Sequence, residues 1–155
     1  MSRHFVSIEG LSKVYPSKEQ DLVVFEGANI GIDKGEFVCI IGHSGCGKST
    51  ILNVMAGLET PTTGTMIMDN KEASGPSLDR GVVFQNYSLL PWLTALQNVS
   101  FGVKARWPTW NKAKVDAHSS HFLEMVGLSG ALHRKPSELS GGMCQRVMIA
   151  MALSC

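Results

Sequence analysis

The sequence lacks a surplus of either charge. Its 14 Lys and Arg stand against 13 Asp and Glu, a net charge of +1. That leaves no electrostatic footprint for a nucleic-acid backbone. It also lacks long apolar runs. Stretches such as Val147–Leu153 fall well short of the ~20 residues that cross a bilayer as a helix. No apolar signal-peptide core forms within the opening MSRHFVSIEG, so the expected compartment is the cytoplasm. None of the four cysteines, Cys39, Cys46, Cys144 and Cys155, is in Cys-x-x-Cys spacing. Free thiols are expected rather than a disulfide or zinc site. There is no repeat and no low-complexity tract. What remains is a globular chain of one domain's length, 155 residues with 44% hydrophobic and 17% charged content.

The first part is β-rich. Residues 5–8 alternate like a strand, residues 14–22 are turn-rich, and residues 23–32 read as a strand pair or one kinked strand. DKGE at 33–36 is a tight turn. FVCII at 37–41 is a continuous apolar run, predicting a strand buried on both faces. A helical pattern at 51–58 is closed by Gly57. Residues 61–70 and GVVFQ at 81–85 predict further strands. From Asn86 to about Lys135 helical patterns dominate. The clearest is 111–128, with Val115, His118, Phe122 and Met125 or Val126 on one stripe.

Gly42-His43-Ser44-Gly45-Cys46-Gly47-Lys48-Ser49-Thr50 fits G-x-x-x-x-G-K-[ST] in full. Its glycines let successive backbone N–H groups turn inward toward phosphate oxygens. The helix that follows adds its positive dipole end. Lys48 is the mobile charge for the β- and γ-phosphates, Ser49 the hydroxyl for Mg²⁺, and Thr50 a contact for the α-phosphate. The motif predicts binding of a nucleoside triphosphate, and bound nucleotide should shield Cys46 from alkylation.

The loop alone fits kinases, GTPases and ATPases. Small-molecule kinases gather arginines around the transferred phosphate, but Arg3, Arg80, Arg106, Arg134 and Arg146 are scattered. A GTPase needs Asn-Lys-x-Asp, which is absent. GVVFQNYSLLPWLTALQNVSFG (81–102) and LSGGMCQR (139–146) stand in order after the phosphate loop. Together the three segments resemble the ATP-binding subunits of ABC transporters, over essentially the whole chain. The wording is similar to the nitrate, sulfonate and taurine importer group, leaning to its nitrate, cyanate or bicarbonate branch.

The resemblance implies an α/β fold: a P-loop core with an incomplete parallel sheet, an N-terminal antiparallel β subdomain and a helical subdomain. Expected boundaries are 1–85 for the β subdomain and core, 86–138 for the helical part, and 139–155 for the signature motif and its helix. The cofactors implied are ATP and Mg²⁺. Gln85 would approach the Mg²⁺ and the attacking water. Ser140, Gly141 and Gly142, joined by Gln145, would meet the ATP held by a second ATP-binding subunit. Ser140 is also a good N-cap, so a plain helix start is the alternative for these residues taken alone. Tyr15 would stack on adenine, or else be an ordinary core or surface tyrosine. Leu89, Leu90 and Trp92 are candidates for an integral-membrane permease partner or for the subdomain core. The expected location is peripheral, on the inner face of the cell membrane.

Hydrolysis also needs an Asp supporting Mg²⁺ and a carboxylate for water. In the family these follow the signature helix on an apolar strand, and this sequence reaches Cys155 first. Asp69 reads instead as a hairpin residue, and Glu124 as part of a solvated helix face. His118 and His121, at i and i+3, have no third ligand in view and read as surface residues. His43 is not placed like the family's switch histidine. The expectation is a chain that is unstable or holds ATP without turning it over, with a non-hydrolysing interaction module as the alternative. Cys144, Met148 and Met151 depart from the family's usual Lys or Gln, Ala and Arg.

Overall fold

The computed structural model describes residues 4–155, so Arg3 lies outside the described residues. The chain divides into two compact units, Met1–Ser77 and Leu78–Cys155, each with its own apolar core.

In the first unit, β1 (Val6–Tyr15) lies between β2 (Leu22–Ile32) and β3 (Thr63–Met68), and β3 turns back into the short β4 (Lys71–Glu72). All pairings are antiparallel. Residues 23–32 therefore form one strand, and its kinks are register shifts against β1 between Ile8 and Val14. Two side chains meet backbone donors along these shifts: Gly10 N–H donates to Asn29 Oδ1 at 2.9 Å, and Gly27 N–H to Ser12 Oγ at 3.0 Å. Asp69 and Asn70 both have positive φ, 48° and 59°. They form the two-residue turn that matches strand twist in a hairpin, so Asp69 has the hairpin place expected of it.

Helix α1 (Lys48–Ala56) lays Ile51 and Val54 on this sheet, among Val6, Ile8, Leu11 and Met66. The i, i+3 spacing gives one apolar stripe. Glu36 N–H donates to the Asp33 carbonyl at 3.1 Å, closing the expected turn.

Two expected strands are corrected. Residues 37–41 and 81–85 carry no strand pairing. Phe37 is 89% and Ile41 92% exposed. A strand apolar on both faces needs neighbours on both edges and layers above and below. The described sheet is antiparallel, and none of its strands pairs with these segments.

The second unit is helical: α2 (Ala95–Arg106), α3 (Lys112–Met125) and α4 (Gly141–Ser154) pack around Val99, Val103, Val115, Leu123, Val147 and Ala150. Thr94 and Gln97 form a reciprocal capping box at α2, and Asn111 caps α3 through Lys114 N–H. The expected α3 stripe is met in part: Phe122 and Val126 pack against the core, but the fully buried line is a neighbouring one. Val115, Ser119 and Leu123 are buried, and Met125 is exposed. Ser119 tolerates burial because its hydroxyl donates to the Val115 carbonyl at 2.8 Å and accepts from Ser100 Oγ at 3.1 Å.

His118 is also corrected from a surface residue to a half-buried one. Its ring lies edge-on to Trp107, Trp110 and Phe122, and Nε2–H donates to the Ser154 carbonyl at 3.1 Å. Among the described residues no group of three or more His, Cys, Asp or Glu is arranged to hold a metal ion. Glu124 is exposed, and the four cysteines are free thiols. No described helix is long and apolar enough to cross a membrane.

Candidate functional site

The nine residues from Gly42 to Thr50 form a loop that runs into α1. Lys48 closes it: Nζ donates to the Gly42 carbonyl at 2.9 Å and to the His43 carbonyl at 2.7 Å. Cys46 Sγ lies 3.6 Å from the same ammonium. His43 Nδ1–H donates to the Ser44 carbonyl at 2.9 Å. Gly47, the N-cap of α1, has φ 91°, and a Cβ there would stand 2.8 Å from Val24 Cγ1. Both the left-handed backbone and the approach to β2 demand glycine. Ile51 N–H is paired with the Gly47 carbonyl at 2.9 Å. The amides of the first α1 turn have no intrahelical partner, which makes this end an anion site. Ser49 is exposed and Thr50 half-buried.

Tyr15 ends β1, 37% exposed. Its hydroxyl is 2.8 Å from each carboxylate oxygen of Glu59. That hydrogen bond raises the phenol pKa above its ordinary value of 10.0. Partial burial and the Glu59 charge add to the rise, and a hydrogen bond from the Thr50 side chain partly offsets it. The structure thus brings Tyr15 beside the first turn of α1.

In the second unit, Ser140 caps α4, its Oγ accepting from Met143 N–H at 3.3 Å. Cys144 N–H pairs with the Ser140 carbonyl at 2.9 Å. The Gly141 and Gly142 amides are left without an intrahelical partner. Gly141, Gly142 and Gln145 are exposed. Tyr87 leans on this end, since a Cβ on Gly141 would lie 2.4 Å from its hydroxyl. Gln85 is exposed in the segment just before, and Ser88 N–H donates to Met148 Sδ at 3.4 Å. Leu89 is in the helical core, whereas Trp92 is 66% exposed. The three departures from the family wording are absorbed by packing. Cys144 and Met148 are buried and Met151 packs against the same core.

Sequence reasoning missed Glu59 and Lys13, which no motif marks. It also missed Asn98, 1% exposed, which bridges α2 to the segment before it. Its Oδ1 accepts from Leu90 N–H at 2.8 Å, and its amide donates to the Leu90, Leu93 and Thr94 carbonyls. The available signal was an amide residue inside an apolar helical pattern, a position it occupies at a cost unless it bonds backbone.

A glycine loop closed by its own lysine at the head of a helix, in a mixed α/β chain, defines a P-loop nucleotide-binding protein. The comparisons narrow the class. Residues 25–155 match the ABC transporter family, to which this chain belongs. It is 49% identical over 150 residues to the bicarbonate transport ATP-binding protein CmpD of Synechocystis sp., covering 97% of this chain and 53% of that protein. It is 46% identical to the nitrate import ATP-binding protein NrtD of Synechococcus elongatus, over 97% of this chain and 55% of the relative. Against the nitrate transport protein NasD of Klebsiella oxytoca it is 43% identical, over 96% and 57%. The chain thus spans about half the length of the curated relatives it matches. Among solved structures it is similar to the ATP-binding cassette MJ0796, a dimer in a post-hydrolysis state bound to ADP and phosphate. There the TM-score is 0.88 at 34% identity, over 96% of this chain and 69% of that one.

Proposed function

We propose that this chain is the ATP-binding part of an importer subunit for a small anion of the nitrate or bicarbonate kind. The observation that carries the reading is the loop at the head of α1, closed by Lys48 onto Gly42 and His43. Those carbonyl contacts are the ones an incoming triphosphate would replace. Gly42 to Thr50 hold the phosphates, with Lys48 as the mobile cation. On the loop itself, Ser49 presents an exposed hydroxyl, a hard oxygen ligand of the kind Mg²⁺ takes. The ion would neutralise charge on the terminal phosphates. Tyr15 stacks on the base. Ser140, Gly141, Gly142 and Gln145 serve the nucleotide of a second subunit, in a homo- or heterodimer that drives a permease at the inner membrane face.

We further propose that these 155 residues hold ATP without turning it over. Asp69 sits in a hairpin turn with φ 48°, and Glu124 lies on an exposed helix face. Neither stands where the family's hydrolytic carboxylates do, on an apolar strand after the signature helix: Asp69 turns an antiparallel hairpin out of β3, and Glu124 is on α3. The alternative reading, an interaction module, shares this expectation of binding without hydrolysis.

Thiol alkylation tests the reading. MgATP should slow modification of Cys46, and Lys48→Ala should abolish the protection. Unprotected Cys46 in the parent chain would refute the placement of the phosphates. ATP turnover lost in Lys48→Ala would refute the claim of binding alone.

A further inference from the structure

We propose that Glu59 is a positioning residue for the base, acting through Tyr15 with Lys13 as its second anchor. The proposal rests on the reading of Tyr15 as the base-stacking residue.

A tyrosine at the end of a strand, more than a third exposed, would ordinarily sample several rotamers. Stacking a base on it would then carry the cost of ordering the ring. Here the ring is already held, at its hydroxyl and over one face. The hydroxyl bonds both oxygens of Glu59 at 2.8 Å. Lys13, two residues earlier on β1 and so on the same face, sets its ammonium 4.8 Å from the ring centroid. Lys13 is itself fixed: Nζ donates to the Thr60 carbonyl at 2.8 Å and stands 4.0 Å from Glu59.

Glu59 comes from the turn that follows α1, and Lys13 on β1 is tied to the same turn through the Thr60 carbonyl. The N-terminus of the same helix carries the phosphate loop. The ring and the loop are therefore registered through one helix. The spacing from base to phosphates is set by α1 and not by the freedom of the Tyr15 side chain. Lys13 occupies one face of the ring by cation–π attraction, so a base stacks on the other. Glu59 does not touch the nucleotide in this arrangement. It removes orientations that cannot stack.

The test compares ATP with inorganic tripolyphosphate by calorimetric titration of the 155-residue chain. Glu59→Ala should weaken ATP roughly threefold to tenfold, the range of one net hydrogen bond, and leave tripolyphosphate unchanged. Glu59→Gln keeps an acceptor and should restore ATP binding to within about twofold, on the same reasoning. Tyr15→Phe should show the loss of Glu59→Ala, and the two together should lose no more than either alone. These last two changes are conservative and sit on the surface, so they report even if Glu59→Ala folds poorly. Equal weakening of both ligands by Glu59→Ala would overturn the proposal, as would no effect of Glu59→Ala while Tyr15→Ala weakens ATP. If Tyr15→Ala itself left ATP unchanged, base stacking would be at fault, and the positioning role would fall with it.

Discussion

Two glycines receive the same substitution with opposite expected results. Gly57 closes α1 in the left-handed region, φ 76°, its N–H bonded back to the Val54 carbonyl at 2.9 Å. A Cβ there would lie 2.0 Å from the Gly75 carbonyl oxygen and 2.3 Å from its carbon, closer than the 3.0 Å that real Cβ atoms respect. The obstacle is backbone and cannot rotate away. Gly57→Ala therefore meets about 1–2 kcal/mol of left-handed strain and a further ~1–3 kcal/mol of overpacking. The sum is roughly 2–5 kcal/mol, and at about 4–8 °C per kcal/mol for a unit of this size it lowers the melting temperature by at least ~8 °C. Gly141→Ala also meets a short contact, 2.4 Å to the Tyr87 hydroxyl. That atom is the tip of a side chain that is 55% exposed, and alanine favours a helix over glycine by up to ~1 kcal/mol. Gly141→Ala should melt within a few degrees of the parent. Thermal unfolding followed by far-ultraviolet circular dichroism reads both. A Gly57→Ala chain that melted with the parent, or a Gly141→Ala chain that fell as far as Gly57→Ala, would refute the reasoning from what each Cβ meets.

Asn98→Ala should cost about 2–4 kcal/mol, because it strands several buried backbone groups around Leu90; a lowered urea midpoint and faster hydrogen exchange at the Leu90 amide would read it. Tyr15 in a Tyr87→Phe background is the sole tyrosine, so its phenolate absorbance can be titrated cleanly. The midpoint should lie above pH 10.0, since the Glu59 hydrogen bond favours the protonated phenol. The sign follows: the stabilisation is complete below pH 10.0 and lost as pH rises through the raised value, and Glu59→Ala should move the midpoint back down.

Features that close on themselves over a few residues were legible in the sequence. The phosphate loop needs only nine residues and the helix they start, and Lys48 bonds carbonyls five and six positions back. Ser140 as an N-cap, the Gly57 helix end and the Asp69-Asn70 hairpin have the same local character. The face of α3 was legible only in part. Val115, His118 and Phe122 fit a helical stripe by composition, yet the buried line runs through Ser119, because a serine can satisfy its hydroxyl within its own turn. Glu59 escaped notice for a related reason. Its partner Tyr15 is 44 positions away, and no spacing rule connects a strand end to a turn after a helix.

The two missing strands mark the same boundary from the other side. Residues 37–41 follow a closed turn at 33–36 and could in principle fold back along β2, a sheet edge. They do not. A hairpin there would satisfy one row of backbone groups but leave one apolar face of the strand wet, as an antiparallel sheet with a single packed face requires. The sequence of 37–41 is written for a strand with neighbours on both edges and cover on both faces. Residues 81–85 carry the same pattern, with Val82, Val83 and Phe84 exposed. β propensity in such a segment describes what it will pair with and not a state it holds alone. The loop that follows residues 37–41 is nonetheless formed, because its geometry comes from Lys48, Gly47 and the register of α1 on the antiparallel sheet. The shape of the loop and the parallel core are therefore separable in this chain, and whether the loop also binds phosphate without its preceding strand is what the Cys46 protection experiment measures directly.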